Sequence, residues 1–357
     1  MPKNIVVFAD GTGQEGGKGN NTNVYKLFNM VIDRSPEQIA FYDRGLGTGW
    51  RKITGSGAGL GFSKNVKDCY RFIFENFQAG DRIYLFGFSR GAATVRSLSS
   101  FIHLFGILPK SREELIDEAY RIYRIKDPKR RTAEAKAFVE RHHTMWTKVR
   151  FLGVWDTVAA LGVPFKSLDV LIEKIPFWRH KFHNFRLSPS VEHAYHALAI
   201  DDERKTFHPL LWKALPEDDK RTMKQVWFCG MHTDVGGGYK DERLSDIALD
   251  WMIKMALPHG LAIFERNQVK LDPQPDGKMH DSRGGEFSRF YRRQVRDWKS
   301  EKLGKPRIHA SVLERKKNVQ NEDDPAYKPW ILEKFKDGEF EIEPWGQPAL
   351  VAKDDAA

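Results

Sequence analysis

One run of residues, Arg82-Ile83-Tyr84-Leu85-Phe86-Gly87-Phe88-Ser89-Arg90-Gly91-Ala92-Ala93, constrains the fold more than anything else in the sequence. Its first half is an apolar, β-rich run and reads as a strand. The residues after Ser89, to about Phe105, read as a helix. Strand, sharp turn and helix thus follow one another directly, with a Gly-x-Ser-x-Gly pattern across the turn. A hydroxyl on such a turn sits at a strained backbone angle, and small neighbours prevent clashes. It is presented at the C-terminal end of the strand, over a helix N-terminus that favours developing negative charge. The five-residue pattern alone arises by chance in roughly one chain in ten of this length. The flanking strand and helix are what give it weight.

The rest of the chain repeats the alternation. Asn4 to Ala9 is a buried strand that ends in Asp10-Gly11-Thr12. Val24, Leu27, Phe28 and Val31 have helical spacing, and Gln38 to Tyr42 is a second strand. The glycine-rich stretch 45–61 reads as a long loop. A helix is expected from about Ser63 to Phe77, with Val66, Cys69, Tyr70, Ile73 and Phe77 on one face. Residues 111–146 read as two charged amphipathic helices broken at Asp127-Pro128, with Ser111 and Glu114 at capping-box spacing. Val149 to Trp155 is an apolar strand ending at Asp156. His193 and His196, three apart, fit a helix. Gln225 to Gly230 is a strand, with His232 just beyond it in a glycine-rich loop that reaches Tyr239. A helix runs from about Ser245 to Met255, and beyond 260 the chain is polar with weak periodicity. This is an α/β chain with a mostly parallel sheet covered on both faces. The expected division is a catalytic domain over 1–260, with helical cap insertions at about 106–148 and 160–220. Residues 261–357 form an extension packed on the same domain.

A serine hydroxyl needs a base, usually a histidine held in its tautomer by a carboxylate. Where the nucleophile sits on such a turn, the chain order is serine, acid, histidine. Asp156 and His232 supply that order, and each directly follows an apolar strand. Asp201 and Asp202 are rivals for the acid. The oxyanion is expected to meet the backbone N–H of Arg90 and a second donor from the loop at Gly11 and Thr12. Asp10 either orients that loop, contributes to substrate binding or holds a cation. Asp10-Gly11-Thr12 resembles part of the D-x-D-G-T motif of aspartyl-phosphate phosphatases, but Phe8 stands where the nucleophile would be. Gly55 to Gly61 lacks a GK[ST] end, so it is no P-loop. A metal-assisted phosphoesterase using Asp10, His232 and Asp234 is an alternative, although no Cys or further His lies near His232-x-Asp234 at ligand spacing. A second alternative is a non-catalytic basic binding protein on the same fold. The leading reading needs no cofactor and no metal.

Composition narrows the classes further. With 357 residues, 41% of them hydrophobic and 30% charged, the chain can bury a sizeable core and is not generally disordered. No apolar run approaches the ~20 residues of a membrane span. The two cysteines exclude a disulfide framework. The net charge of +10 is spread among acidic residues, so nucleic acid is not an expected partner. The N-terminus carries no secretory signal pattern. The chain reads as cytoplasmic as synthesised, with export by a machine that reads no N-terminal signal left open.

Taken together, several motifs resemble the α/β-hydrolase-like family called "domain of unknown function 2235", which includes type VI secretion phospholipase effectors. They are Phe8-Ala9-Asp10-Gly11-Thr12, Asn21-Thr22-Asn23-Val24, Gly45-Leu46-Gly47-Thr48-Gly49, Gly87-Phe88-Ser89-Arg90-Gly91-Ala92, Gly153-Val154-Trp155-Asp156-Thr157-Val158 and Gly230-Met231-His232-Thr233-Asp234-Val235-Gly236-Gly237-Gly238-Tyr239. The resemblance covers about residues 3–255, and Ile308 to Val312 more weakly. It implies an α/β-hydrolase fold, a triad of Ser89, Asp156 and His232, and hydrolysis of phospholipid esters. It also implies an immunity or chaperone protein as partner if the chain acts as an effector. Against that resemblance, the chain is expected to lack a large C-terminal membrane-binding module of the kind associated with secreted effectors. Val163 to Leu187, where a lid would sit, interleaves Phe165, Phe177, Trp178, Phe182 and Phe185 with basic residues. That pattern suits an anionic membrane surface, and Phe177 and Trp178 are the residues expected to capture lipid.

Overall fold

Six residues, Asn4–Ala9, form strand β1, and all six are buried. That is the signature of a central strand covered on both faces. The computed structural model describes residues 2–11, 16–17, 19–45, 56–158, 186–264, 270–284, 291–318 and 326–346. In it β1 pairs in parallel with β2 (Gln38–Asp43) on one side and β3 (Arg82–Phe88) on the other. The sheet continues in parallel through β4 (Val149–Trp155), β5 (Val191–Ala199), β6 (Thr222–Phe228), β7 (Arg307–His309) and β8 (Glu341–Glu343). The spatial order is β2-β1-β3-β4-β5-β6-β7-β8. It reverses direction between β1 and β3, and the crevice at such a switch point is where open α/β sheets bind ligands.

Strand alternation splits the core in two. Val6, Phe8, Tyr84, Phe86 and Phe88 face helices α1 (Asn23–Met30) and α7 (Arg243–Ala256). Ile5, Val7, Ile83 and Leu85 face α2 (Ser56–Asn76) and α3 (Arg90–Phe105). The helices α4 (Leu115–Tyr123) and α5 (Pro128–His142) lie on the α3 side. Asp127 caps α5 by accepting the Lys129 and Arg130 amides. A parallel sheet clothed by helices, with a strand-turn-helix serine after β3, is the α/β-hydrolase-like arrangement.

Several local expectations are corrected. Ser56 to Gly61 is helical, not loop, because α2 extends N-terminally from a segment already anchored in the core. Propagation outweighs the ~1 kcal/mol that each glycine costs. Residues 46–55 of the expected loop lie outside the described residues. The Ser111–Glu114 capping box does not form, since α4 starts after Glu114 with no side-chain cap. His193 and His196 are on β5, not a helix, because a strand between β4 and β6 must be apolar on both faces and accommodates His196 through a hydrogen bond. His232 opens a one-turn helix, α6 (His232–Gly236), not a loop. In the C-terminal region β7 and β8 have three residues each, too few to show a period.

Candidate functional site

Ser89 sits between β3 and α3 with φ 58° and ψ −120°. A non-glycine residue at positive φ is held there only by its surroundings. Both flanking glycines explain how. A Cβ on Gly91 would lie 2.0 Å from the Ala9 carbonyl oxygen, and one on Gly87 would lie 2.6 Å from the Gly91 oxygen. The first turn of α3 therefore presses directly on the end of β1. Among the described residues three non-glycines have positive φ: Ser89, His143 and Asp156. Two of these end adjacent strands, and the Ser89 N–H donates to the Trp155 carbonyl at 3.1 Å.

Asp156 is fully buried. Its Oδ2 accepts the His232 Nδ1–H at 2.6 Å, and its Oδ1 accepts the Ala199 N–H at 3.1 Å. With Asp156 accepting the Nδ1–H, a neutral imidazole carries its acceptor lone pair on Nε2. The His232 ring packs 4.6 Å from the ring of Phe88, the neighbour of Ser89, and 5.2 Å from Phe207. A Cβ on Gly236 would strike Phe88 at 2.0 Å, so α6 closes tightly on the serine strand. Neither rival carboxylate touches the imidazole nitrogens. Asp202 accepts the His232 backbone N–H at 3.3 Å and is paired with Arg204. Asp201 accepts from Gly230 N–H and the Tyr327 hydroxyl.

Arg296 is a residue that carries no sequence signal. Its Nη1 and Nη2 donate to Asp156 Oδ1 and Oδ2 at 2.6 and 2.8 Å, and to the Ala199 and Phe207 carbonyls at 2.6 and 2.7 Å. It is one of 58 basic residues, in a polar stretch with no periodicity. Burial alone would raise the Asp156 pKa. The Arg296 guanidinium and the His232 bond outweigh it and hold the carboxyl well below the usual carboxylate range.

At the end of β1, Asp10 Oδ2 accepts the Thr22 and Tyr42 hydroxyls, each at 2.6 Å, and Oδ1 accepts the Gly11 N–H at 2.7 Å. Asp10 thus ties Gly11 to Thr22, which caps α1, and to Tyr42 on β2. The expected Gly11 donor is already engaged by Asp10, and Thr12 lies outside the described residues. The Arg90 backbone N–H opens α3, where N–H groups lack intrahelical partners. Its guanidinium has no carboxylate partner among the described residues, and burial lowers its pKa to about 10. Asp234 is paired with His280, not with His232 or Asp10. Among the described residues no three His, Cys, Asp or Glu side chains converge as a metal-binding set. Phe177 and Trp178 lie outside the described residues. Among the described residues no helix is long and apolar enough to cross a membrane.

A family model described as type VI secretion, phospholipase effector Tle1-like, catalytic domain matches residues 3–255. The uncharacterized protein YEL023C of Saccharomyces cerevisiae is 29% identical over 259 residues, which is 65% of this chain and 36% of the yeast protein. A crystal structure of an uncharacterized protein from Pseudomonas aeruginosa superposes with a TM-score of 0.46 at 17% identity, over 74% of this chain and 46% of that one. The Tle1 effector bound to the VgrG spike from the type 6 secretion system superposes with a TM-score of 0.37 at 20% identity, over 68% of this chain and 52% of that one. The matches span between 36% and 52% of the length of these relatives.

Proposed function

The chain belongs to the family of type VI secretion Tle1-like phospholipase effector catalytic domains, and on that footing we propose that it is a serine hydrolase that cleaves carboxylic esters of phospholipids. Ser89 Oγ attacks the ester carbonyl while His232 Nε2 takes its proton. Asp156 holds the imidazole and stabilises the imidazolium. The Arg90 N–H is the first oxyanion donor, and since the Gly11 N–H is bonded to Asp10, the second falls to Thr12. The protonated imidazole then hands its proton to the departing alcohol. Water hydrolyses the acyl-enzyme through the same base.

The observation that carries this reading is the Asp156–His232 pair, 2.6 Å apart, packed beside the strained elbow of Ser89. The Arg90 guanidinium, one residue from the nucleophile and without a carboxylate partner among the described residues, suits the phosphate of a lipid headgroup. The metal-assisted alternative is less well supported, because Asp10, His232 and Asp234 are each engaged by different partners. Phe177 and Trp178 remain the proposed lipid-capturing pair, acting at an anionic bilayer surface.

Product analysis on phosphatidylglycerol vesicles tests the reaction class. Wild type is expected to release fatty acid and lysophospholipid, and Ser89→Ala to release neither. Release of the headgroup or of phosphatidic acid by both, abolished by a chelator, would assign a phosphoesterase instead. Strongly salt-dependent binding to nucleic acid with no hydrolysis would assign a binding protein.

A further inference from the structure

Every acceptor position of the Asp156 carboxylate is used. Oδ1 takes Arg296 Nη1–H and the Ala199 N–H, and Oδ2 takes Arg296 Nη2–H and the His232 Nδ1–H. Arg296 is itself fully buried, and its fork also grips the carbonyls of Ala199, at the end of β5, and Phe207, whose ring packs on His232. The guanidinium therefore ties three things together: the end of β4, the end of β5 and the aromatic wall of the imidazole. It also comes from outside residues 3–255, the segment that the family model matches.

The other charged and titratable groups around this pair are otherwise engaged. Asp202 faces the His232 backbone and is bonded to Arg204 through both carboxylate oxygens. His196, on β5, accepts the Thr157 N–H through Nε2, and burial holds it neutral. Burial likewise lowers the pKa of His208. Asp201 is bonded to Gly230 and Tyr327, Asp234 to His280, and Arg96 to the Leu210 carbonyl. Among the described residues Arg296 is thus the cation that faces Asp156.

We infer that Arg296 is a positioning residue for the triad: it fixes the Asp156 carboxylate toward His232 and sets a buried positive charge against it. The segment C-terminal to the matched domain is then part of the catalytic machinery. A bidentate fork holds both carboxylate oxygens in one plane, which a point charge cannot do. The charge acts on Asp156, whose carboxylate both nitrogens of the fork contact. With the cation present, the Asp156 carboxylate resists protonation and stays an acceptor for the His232 Nδ1–H. Without it, Asp156 takes up a proton at higher pH.

This inference rests on the serine-hydrolase reading, and its test separates the two. The kcat/KM for a soluble short-chain ester and the rate of fluorophosphonate labelling are measured against pH. The proteins are the full-length wild type, Arg296→Gln and Arg296→Lys. Arg296→Gln is expected to lose roughly 10²-fold in kcat through misplacement of the acid. Its acid limb should move up by about one pH unit or more, through loss of the cation. Arg296→Lys should keep the limb near the wild-type position while recovering only part of the rate. A wild type that is never labelled would fail the serine-hydrolase reading. A labelled wild type, with a folded Arg296→Gln whose limb does not move, would fail the role of Arg296 alone. Should Arg296→Gln not fold, Arg296→Lys decides: full wild-type rate would overturn positioning by the fork, and a reduced rate on an unmoved limb would support it.

Discussion

Asp156 and Asp10 are both buried carboxylates at the C-terminal ends of parallel strands, β4 and β1, and each accepts at least three hydrogen bonds. Asp156 faces the Arg296 cation and is held ionised far into acid. Among the described residues Asp10 has only hydroxyl and amide donors, and burial pushes its pKa up to about 6 despite them. The difference shows that the number of hydrogen bonds does not decide the charge state of a buried carboxylate; a desolvated counter-charge does. It also separates their work. Asp156 accepts from His232, whereas Asp10 joins the end of β1 to Thr22 and Tyr42.

The sharpest way to break this comparison is to neutralise each carboxylate in turn. Asp156→Asn should lower kcat by about 10⁴-fold, because an amide favours the wrong imidazole tautomer. Asp10→Asn should cost far less, on the order of tenfold, because it disturbs only the holding of the oxyanion loop. Equal losses in steady-state kinetics would mean that Asp10 takes part in the chemistry.

Thermal unfolding across pH sharpens it next. Burial raises the folded pKa of Asp10 to about 6, above the usual carboxylate value, so ionising it costs stability. That loss develops as pH rises from about 4 to about 6 and is complete above, at a few kcal/mol. Asp10→Asn should remove this slope. Asp156 has a depressed folded pKa, so its contribution is present above the unfolded value near 4 and is lost as pH falls below it. A melting temperature that responds with the same sign to both groups would contradict the assignment.

The smallest effect is expected from Tyr42→Phe. It removes one hydroxyl that stabilises ionised Asp10. The midpoint of the Asp10-linked stability change should rise, while kcat changes only a few-fold. A large loss of activity would place the Tyr42 hydroxyl closer to the substrate than proposed.

Much of this architecture was legible in the chain. β1, β3 and β4 are continuous apolar runs, as strands buried on both faces must be, and the turn at Ser89 announces itself through Gly87 and Gly91. Asp156 and His232 stand out in the sequence because each follows an apolar strand, and the two side chains are bonded to each other. What was not legible depends on tertiary contact. The β5 histidines carry helical spacing, but the strand is set by its neighbours β4 and β6. The strands β7 and β8 are too short to show a pattern. Arg296 lies some 140 residues from Asp156, and nothing local distinguishes a buried arginine from a solvated one. The bond between Gly11 and Asp10 is likewise a fact of side-chain conformation rather than of spacing.

The central claim is that Ser89 is a nucleophile activated by the Asp156–His232 pair. Covalent labelling by a fluorophosphonate probe, comparing wild type with Ser89→Ala and His232→Ala, tests it most directly. Labelling of the wild type alone, at Ser89, is the predicted result. A folded wild type that does not react, or a Ser89→Ala protein labelled as fast as wild type, would contradict it.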